Sequence, residues 1–170
     1  MTYTHFYSSP IGKLFIVANK DSLLRLDFEN SRYIQKHDTN IAQDISKSNS
    51  FILQETKRWL DNYFGGKVNS SIPSIKLEGT PFRVLVWNLL LNIPYGKTVS
   101  YGELSTLVAE KRGVKKIAAQ AIGQAVGKNP ISIIVPCHRV IAKNGLLTGY
   151  GGGLERKRFL LELEKGVLNI

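Results

Sequence analysis

The sequence predicts an α/β N-terminal domain built on a small antiparallel sheet, followed by a mainly α C-terminal domain containing a helix-turn-helix. Three observations predict it. Apolar residues alternate at period two between turn signals at the start of the chain. From Phe51 onward, helix-period stripes with capping and stopping residues replace that alternation. Charge is also divided unevenly: residues 1–78 carry 10 Lys+Arg against 8 Asp+Glu, whereas residues 79–170 carry 13 against 5, so most of the net +10 lies in the second part. The expected domains are accordingly 1–78 and 79–170, joined through the loose connector "KVNSSIPSIKLEG".

The elements follow in order. "TYTHFYSSPIGKLFIVANKDSLLRLDF" has a turn at Pro10-Ile11-Gly12, alternation through Leu14 and Ile16, and a second turn at Asn19-Lys20-Asp21. Leu24, Leu26 and Phe28 then recur at period two, which completes a three-strand meander. The polar stretch from Tyr33 to Ser50 is read as loop or irregular helix. From Phe51, the residues Ile52, Thr56, Trp59, Leu60, Tyr63 and Phe64 share a helix face that should cover the meander, and Gly65-Gly66 ends it. In "TPFRVLVWNLLLNI", Thr80 is the N-cap and Pro81 the first helical position, with Phe82, Val86, Leu89 and Ile93 on one stripe until Pro94. "SYGEL" is a capping box, Ser100 with Glu103, opening a short helix through Leu104, Leu107 and Val108. The basic loop "EKRGVKK" leads to a helix with Ile117, Ala121, Ile122, Ala125 and Val126 inward, broken at Asn129-Pro130. Two short helices around a glycine turn make a helix-turn-helix candidate, whose second helix exposes Lys115, Lys116 and Gln120 near its start. "ISIIV" is read as a short buried strand, "KNGLLTGYGGG" as a turn-rich loop, and "LERKRFLLELEKG" as a final amphipathic helix.

Composition narrows the classes of function. A single cysteine cannot form an internal disulfide, and His5, His37 and His138 lie too far apart in sequence for a metal cluster, so no metal is expected. No signal peptide or membrane-length apolar run is present, and the cytoplasm is the expected location. The positive second half suits a polyanionic partner, because phosphates neutralised by Lys or Arg release condensed counterions. "YGKT" at 95–98 resembles the tail of a phosphate loop, but Leu91 stands where the loop needs glycine.

The one cysteine, Cys137, lies in "PCHRVI". A lone cysteine is usually an inert core residue. Its neighbours argue otherwise: a thiol attacks as thiolate, and an imidazole, a cation or oriented backbone dipoles lower its reference pKa of about 8.5. His138 and Arg139 supply such groups, and Pro136 stiffens the turn. Adjacent side chains usually point apart, so His138 is expected to act on Cys137 through a bridging water. An orienting carboxylate for His138 would be Glu164 or Glu162, and spacing does not choose between them. A nucleophile, a base and an acid in a basic helix-turn-helix domain point to group transfer on a nucleic acid.

"PCHRVI", preceded by "GKNPISIIV" and followed by "GLLTGYGGGLERKRFLLELE", closely resembles the O6-alkylguanine-DNA alkyltransferases (methylated-DNA–protein-cysteine methyltransferases). The likeness extends more loosely back through "GTPFRVLVW", "IPYGKTVSYGEL" and the N-terminal meander. It implies a ribonuclease-H-like N-terminal domain and a winged-helix-like C-terminal one. It also implies a DNA-repair protein that moves an alkyl group from O6 of guanine in double-stranded DNA to its own cysteine, once and irreversibly. By position, Cys137 is the acceptor, His138 the base and Glu164 the carboxylate that orients it. Tyr101 would give its hydroxyl proton to the guanine, and Asn129 would hold the turn before the active-site strand. Tyr150 and the glycines from Gly151 to Gly153 would wall the pocket. The guanine is flipped out of the duplex, at a cost of a few kcal/mol. The recognition helix would enter the minor groove, which its small residues Ala118, Ala119, Ala121 and Gly123 suit, with Arg139 as a further DNA contact. No cofactor is implied, and a monomer is the expected state.

Two departures stand out. Family members usually carry an intercalating arginine where this chain has Gln120 in "AAQAIG", so the extruded state should be less stabilised. The loop "VAEKRGVKK" is longer than the common form, and its Arg112, Lys115 and Lys116 offer compensating phosphate contacts. Competing readings are a non-enzymatic recognition protein for alkylated DNA, a transcription factor and a cysteine hydrolase. The presence of Cys137 disfavours the first, and the lack of any additional DNA-binding domain the second.

Overall fold

Period-two alternation produces three antiparallel strands: β1 (Tyr3–Ser9), β2 (Gly12–Ala18) and β3 (Leu23–Phe28), in the order β1-β2-β3. The computed structural model describes residues 2–31 and 50–168, so the reading of residues 33–49, His37 included, lies outside the described residues. Gly12, at φ +112°, closes the first hairpin directly opposite Ser9. In β3 the expected alternation is corrected by a bulge. Arg25 pairs with Val17 and Leu23 with Ala18, so Leu24 is the extra residue, and Leu23 takes the buried position expected for Leu24.

Helix α1 (Phe51–Phe64) is capped by Ser50, whose hydroxyl accepts from the Leu53 amide. Ile52, Leu53, Thr56, Leu60, Tyr63 and Phe64 are its buried side, packed on the sheet. Tyr7 stacks on Phe64 and donates its hydroxyl to Asp61 at 2.9 Å. Trp59, expected inside, instead flanks this face, stacked on Tyr63 and donating to the Ser71 carbonyl. Gly66 rather than Gly65 takes the left-handed conformation.

The outer edge of β3 is covered by two isolated parallel bridges, Leu23 with Ile75 and Leu26 with Ile131. The second holds Leu26 between two backbone bonds, its amide to Pro130 and its carbonyl from Ser132. The buried strand expected at "ISIIV" is therefore reduced to one bridge residue. Ile133 turns the chain at φ +71°, a value incompatible with extended backbone and costly for a β-branched residue. By contacts, the chain forms two compact units: Met1–Leu77 with Pro130–Ser132 and Leu168–Ile170, and Glu78–Asn129 with Ile133–Val167.

The second unit is mainly helical. α2 (Pro81–Leu91) starts on the Thr80 cap and buries Val86, Trp87 and Leu90; the Trp87 indole donates to the Ala125 carbonyl at 2.8 Å. The expected stripe misses Trp87 and Leu90, and Leu89 is only half-buried. α3 (Tyr101–Arg112) carries the full capping box of Ser100 and Glu103 and ends at left-handed Gly113. Glu110, Lys111 and Arg112 of the expected basic loop thus belong to the last turn of α3, and Leu107 is exposed. α4 (Ala119–Gly127) follows, burying Ile122, Ala125 and Val126, with no capping side chain at Ala118. Two-residue strands β4 (Val99–Ser100) and β5 (Val140–Ile141) pair in parallel, and α5 (Leu154–Glu164) closes the unit. Among the described residues no helix is long and apolar enough to cross a membrane.

Candidate active site

Pro136 shapes the turn that carries the cysteine. At φ −83° and ψ 63° it is the central residue of an inverse γ-turn, closed by the Cys137 amide on the Val135 carbonyl at 2.8 Å. Cys137, His138 and Arg139 then form one 3-10 turn, all three buried. Asn129, just past α4, donates its side-chain amide to the Val135 carbonyl at 2.7 Å and to Cys137 Sγ at 3.1 Å. Asn129 therefore braces the turn ahead of Cys137, although no regular strand follows that turn. An N–H aimed at sulfur favours the thiolate.

Next to the cysteine lies a buried ionic cluster. His138 Nε2 is 2.6 Å from Glu164 Oε1, and Glu164 also accepts from Arg139 Nε and Nη2 at 2.9 Å and from the Gly96 amide at 3.2 Å. Gly96 sits at φ +73°, and a Cβ there would come within 3.1 Å of the Glu164 carbonyl oxygen. Burial raises the Glu164 carboxyl, but the bonds and charges of His138 and Arg139 outweigh it and hold the group down at about 2. Burial dominates at His138 and pushes its imidazole below the ordinary value, with Glu164 opposing. A neutral imidazole donating Nε2–H to a carboxylate keeps Nδ1 as an acceptor, the form a base needs. The carboxylate left open between Glu162 and Glu164 is Glu164.

Arg139 is the expectation the geometry corrects. Read from sequence as a DNA contact, it is buried, and its remaining nitrogen donates to the Ile93 carbonyl at 2.7 Å. Its guanidinium is occupied in holding Glu164.

Tyr101 opens α3, and its hydroxyl donates to the Thr148 carbonyl at 3.4 Å. Burial, then the charge of Cys137, raise its pKa, and hydrogen bonding with the Thr148 side chain, distinct from the carbonyl contact, partly offsets them. One residue was missed altogether: Lys157 is fully buried, and its ammonium donates to the Val140 carbonyl at 2.6 Å, Thr148 at 2.9 Å and Gly149 at 3.5 Å. Burial lowers its pKa, and the charge of Cys137 works against that. The signal was available, since Lys157 lies three, four and seven positions before Leu160, Leu161 and Glu164 on the buried stripe of α5.

The expected recognition residues lie around α4. Lys115, Lys116, Ala118, Ala119 and Gln120 are exposed, and Ala121 and Gly123 half-buried. A Cβ on Gly123 would meet no atom within 4 Å, so internal packing does not require glycine there. Tyr150 is half-buried and Gly151 exposed in the loop before α5. Among the described residues no group of three or more His, Cys, Asp or Glu is placed to hold a metal ion.

Fold and site together define a class: a helix-turn-helix domain whose buried cysteine accepts a side-chain amide hydrogen bond beside a buried His–Glu–Arg cluster. Residues 81–166 match the model of the DNA-binding domain of 6-O-methylguanine DNA methyltransferase, and residues 2–78 that of its ribonuclease-like domain. The methylated-DNA–protein-cysteine methyltransferase of Haemophilus influenzae is 41% identical, over 96% of this chain and 86% of its own. That of Methanosarcina acetivorans is 39% identical, over 95% and 97%. The crystal structure of Mycobacterium tuberculosis OGT in complex with DNA superimposes with a TM-score of 0.81 at 40% identity, covering 96% of this chain and 93% of that one. The chain belongs to the 6-O-methylguanine DNA methyltransferase family.

Proposed function

We propose that this protein repairs double-stranded DNA by taking the alkyl group from O6 of guanine onto Cys137, once per molecule. The observation that carries the reading is the Asn129 amide on Cys137 Sγ, because a donor fixed on a buried sulfur favours the nucleophilic thiolate. His138 Nδ1 takes the thiol proton through a water, while Glu164 holds the ring by Nε2 and Arg139 holds Glu164. The thiolate attacks the alkyl carbon; the new S–C bond forms as the C–O6 bond breaks, and the electron pair passes into the guanine ring. Tyr101 supplies the proton the base then needs, and the proton taken from the thiol restores the balance. The thioether that remains is stable, so the protein is spent.

Reaching a stacked guanine requires flipping it out of the duplex. In this reading residues 79–170 bind DNA and carry the chemistry, with α4 against the minor groove, Gln120 at the vacated stack, and Tyr150 and Gly151 lining the base pocket. Residues 1–78 act structurally. The protein works as a monomer in the cytoplasm and needs no cofactor. Support comes from the family membership and from names among the relatives that state the same acceptor chemistry.

The test is intact-mass and peptide mass spectrometry after incubation with a duplex bearing one O6-methylguanine. One methyl on the Cys137 peptide, with no further turnover, is the expected result. Binding of the lesion without methylation would point to a recognition protein instead.

A further inference from the structure

Lys111 and Arg112 close α3 ahead of Gly113, and Lys115 and Lys116 follow before α4. Cations in a last helical turn complement the helix dipole, which accounts for the first two, and Arg112 also lies 5.3 Å over the Phe82 ring. Neither reason reaches Lys115 and Lys116. Both are exposed, and neither makes an ion pair or hydrogen bond to a described residue. Residues 111–116 contain four cations and no carboxylate, and α4, which follows, has no charged residue at all. Solubility alone is served better by mixed charge than by a single-sign run whose members repel.

The backbone beneath them is fixed. The Val114 amide donates to the Ala109 carbonyl at 3.0 Å, and the Ser105 hydroxyl donates to the Ile117 carbonyl at 2.9 Å. The two ammonium groups therefore extend from a segment tied at both ends, next to the exposed start of the helix that carries Gln120.

We propose that Lys115 and Lys116 form a phosphate clamp, each contacting a backbone phosphate of duplex DNA beside the nucleotide that Cys137 treats. The clamp rests on the reading of the partner as DNA, and it supplies grip from the loop rather than from within the base stack.

Fluorescence anisotropy of a labelled duplex with one O6-methylguanine, titrated at several salt concentrations, tests it without requiring Cys137 to react. Replacing both residues, Lys115→Gln with Lys116→Gln, should lower the slope of log K against log salt by about 2, since each phosphate contact contributes roughly 0.9. Lys115→Arg with Lys116→Arg should keep the slope. Lys13→Gln with Lys20→Gln, on β2 and in the turn after it in the other unit, removes the same net charge and should also keep it. An unchanged slope in the glutamine pair, an equal fall in the Lys13 and Lys20 control, or no duplex binding by the unaltered protein would overturn the clamp. A normal slope change with Cys137 left unmethylated would sustain the clamp and sink the transfer reading instead.

Discussion

The amide of Asn129 lies 3.1 Å from Cys137 Sγ and 2.7 Å from the Val135 carbonyl, so one side chain holds both the nucleophile and the turn that presents it. Asn129→Leu removes both bonds at similar volume. Transfer at neutral pH should slow by about tenfold or more, as expected for a lost hydrogen bond to a charged atom worth roughly 1.5–3 kcal/mol. The rate should partly recover at alkaline pH, where the thiolate forms unaided; a single-turnover pH profile checks this.

The ionic cluster predicts acid sensitivity. The Glu164 carboxyl sits at about 2 in the folded protein against an ordinary 4.5, so the unfolded chain takes up its proton first as pH falls. Its stabilisation, about 3 kcal/mol by linkage, is complete above pH about 4.5 and lost between there and about 2. His138 adds a loss of the same sign that begins below its ordinary 6.5, because the folded state resists protonating it. Urea midpoints measured down this range should fall steadily. Glu164→Gln should flatten the part below 4.5 and cost about 3–5 kcal/mol at pH 7, because Arg139 is left buried without its counter-charge.

Lys157→Met keeps the stem and removes the ammonium. The Val140 and Thr148 carbonyls lose their donor, and stability should fall by about 2–4 kcal/mol. Hydrogen exchange should locate the change, with faster amides across residues 142–150 and little difference in α2.

Gln120 is exposed on α4 and shorter than an arginine. Gln120→Arg should speed transfer from duplex DNA, through a longer, charged side chain better able to hold the vacated stack. Equal rates for the two proteins would show that the glutamine costs nothing.

Caps and periodicity were legible because they are local: the Thr80 and Ser100 caps, the α1 face and the glycine turn of the helix pair all follow from neighbours within a turn or two. What was not legible depends on distant partners. The Leu24 bulge is set by pairing with β2, and the positive φ of Ile133 by the bridge to Leu26 and the return toward Cys137. Arg139 looked like a surface cation because nothing nearby in sequence reveals that Glu164 and the Ile93 carbonyl will meet it. Cys137, His138 and Tyr101 were legible as chemistry by residue type and resemblance, whereas the burial of Lys157 required treating a lysine as part of an apolar stripe.

The bridge between Leu26 and Ile131 also bears on the order in which the molecule assembles. It closes a loop of roughly a hundred residues, and such long-range closure is slow because chain entropy is lost before any contact rewards it. During synthesis β3 leaves the ribosome long before Ile131 exists, and the Leu26 end of its outer edge waits for a partner. The anchor lies between Asn129 and Cys137, so the reactive turn is among the last parts of the chain to acquire its shape.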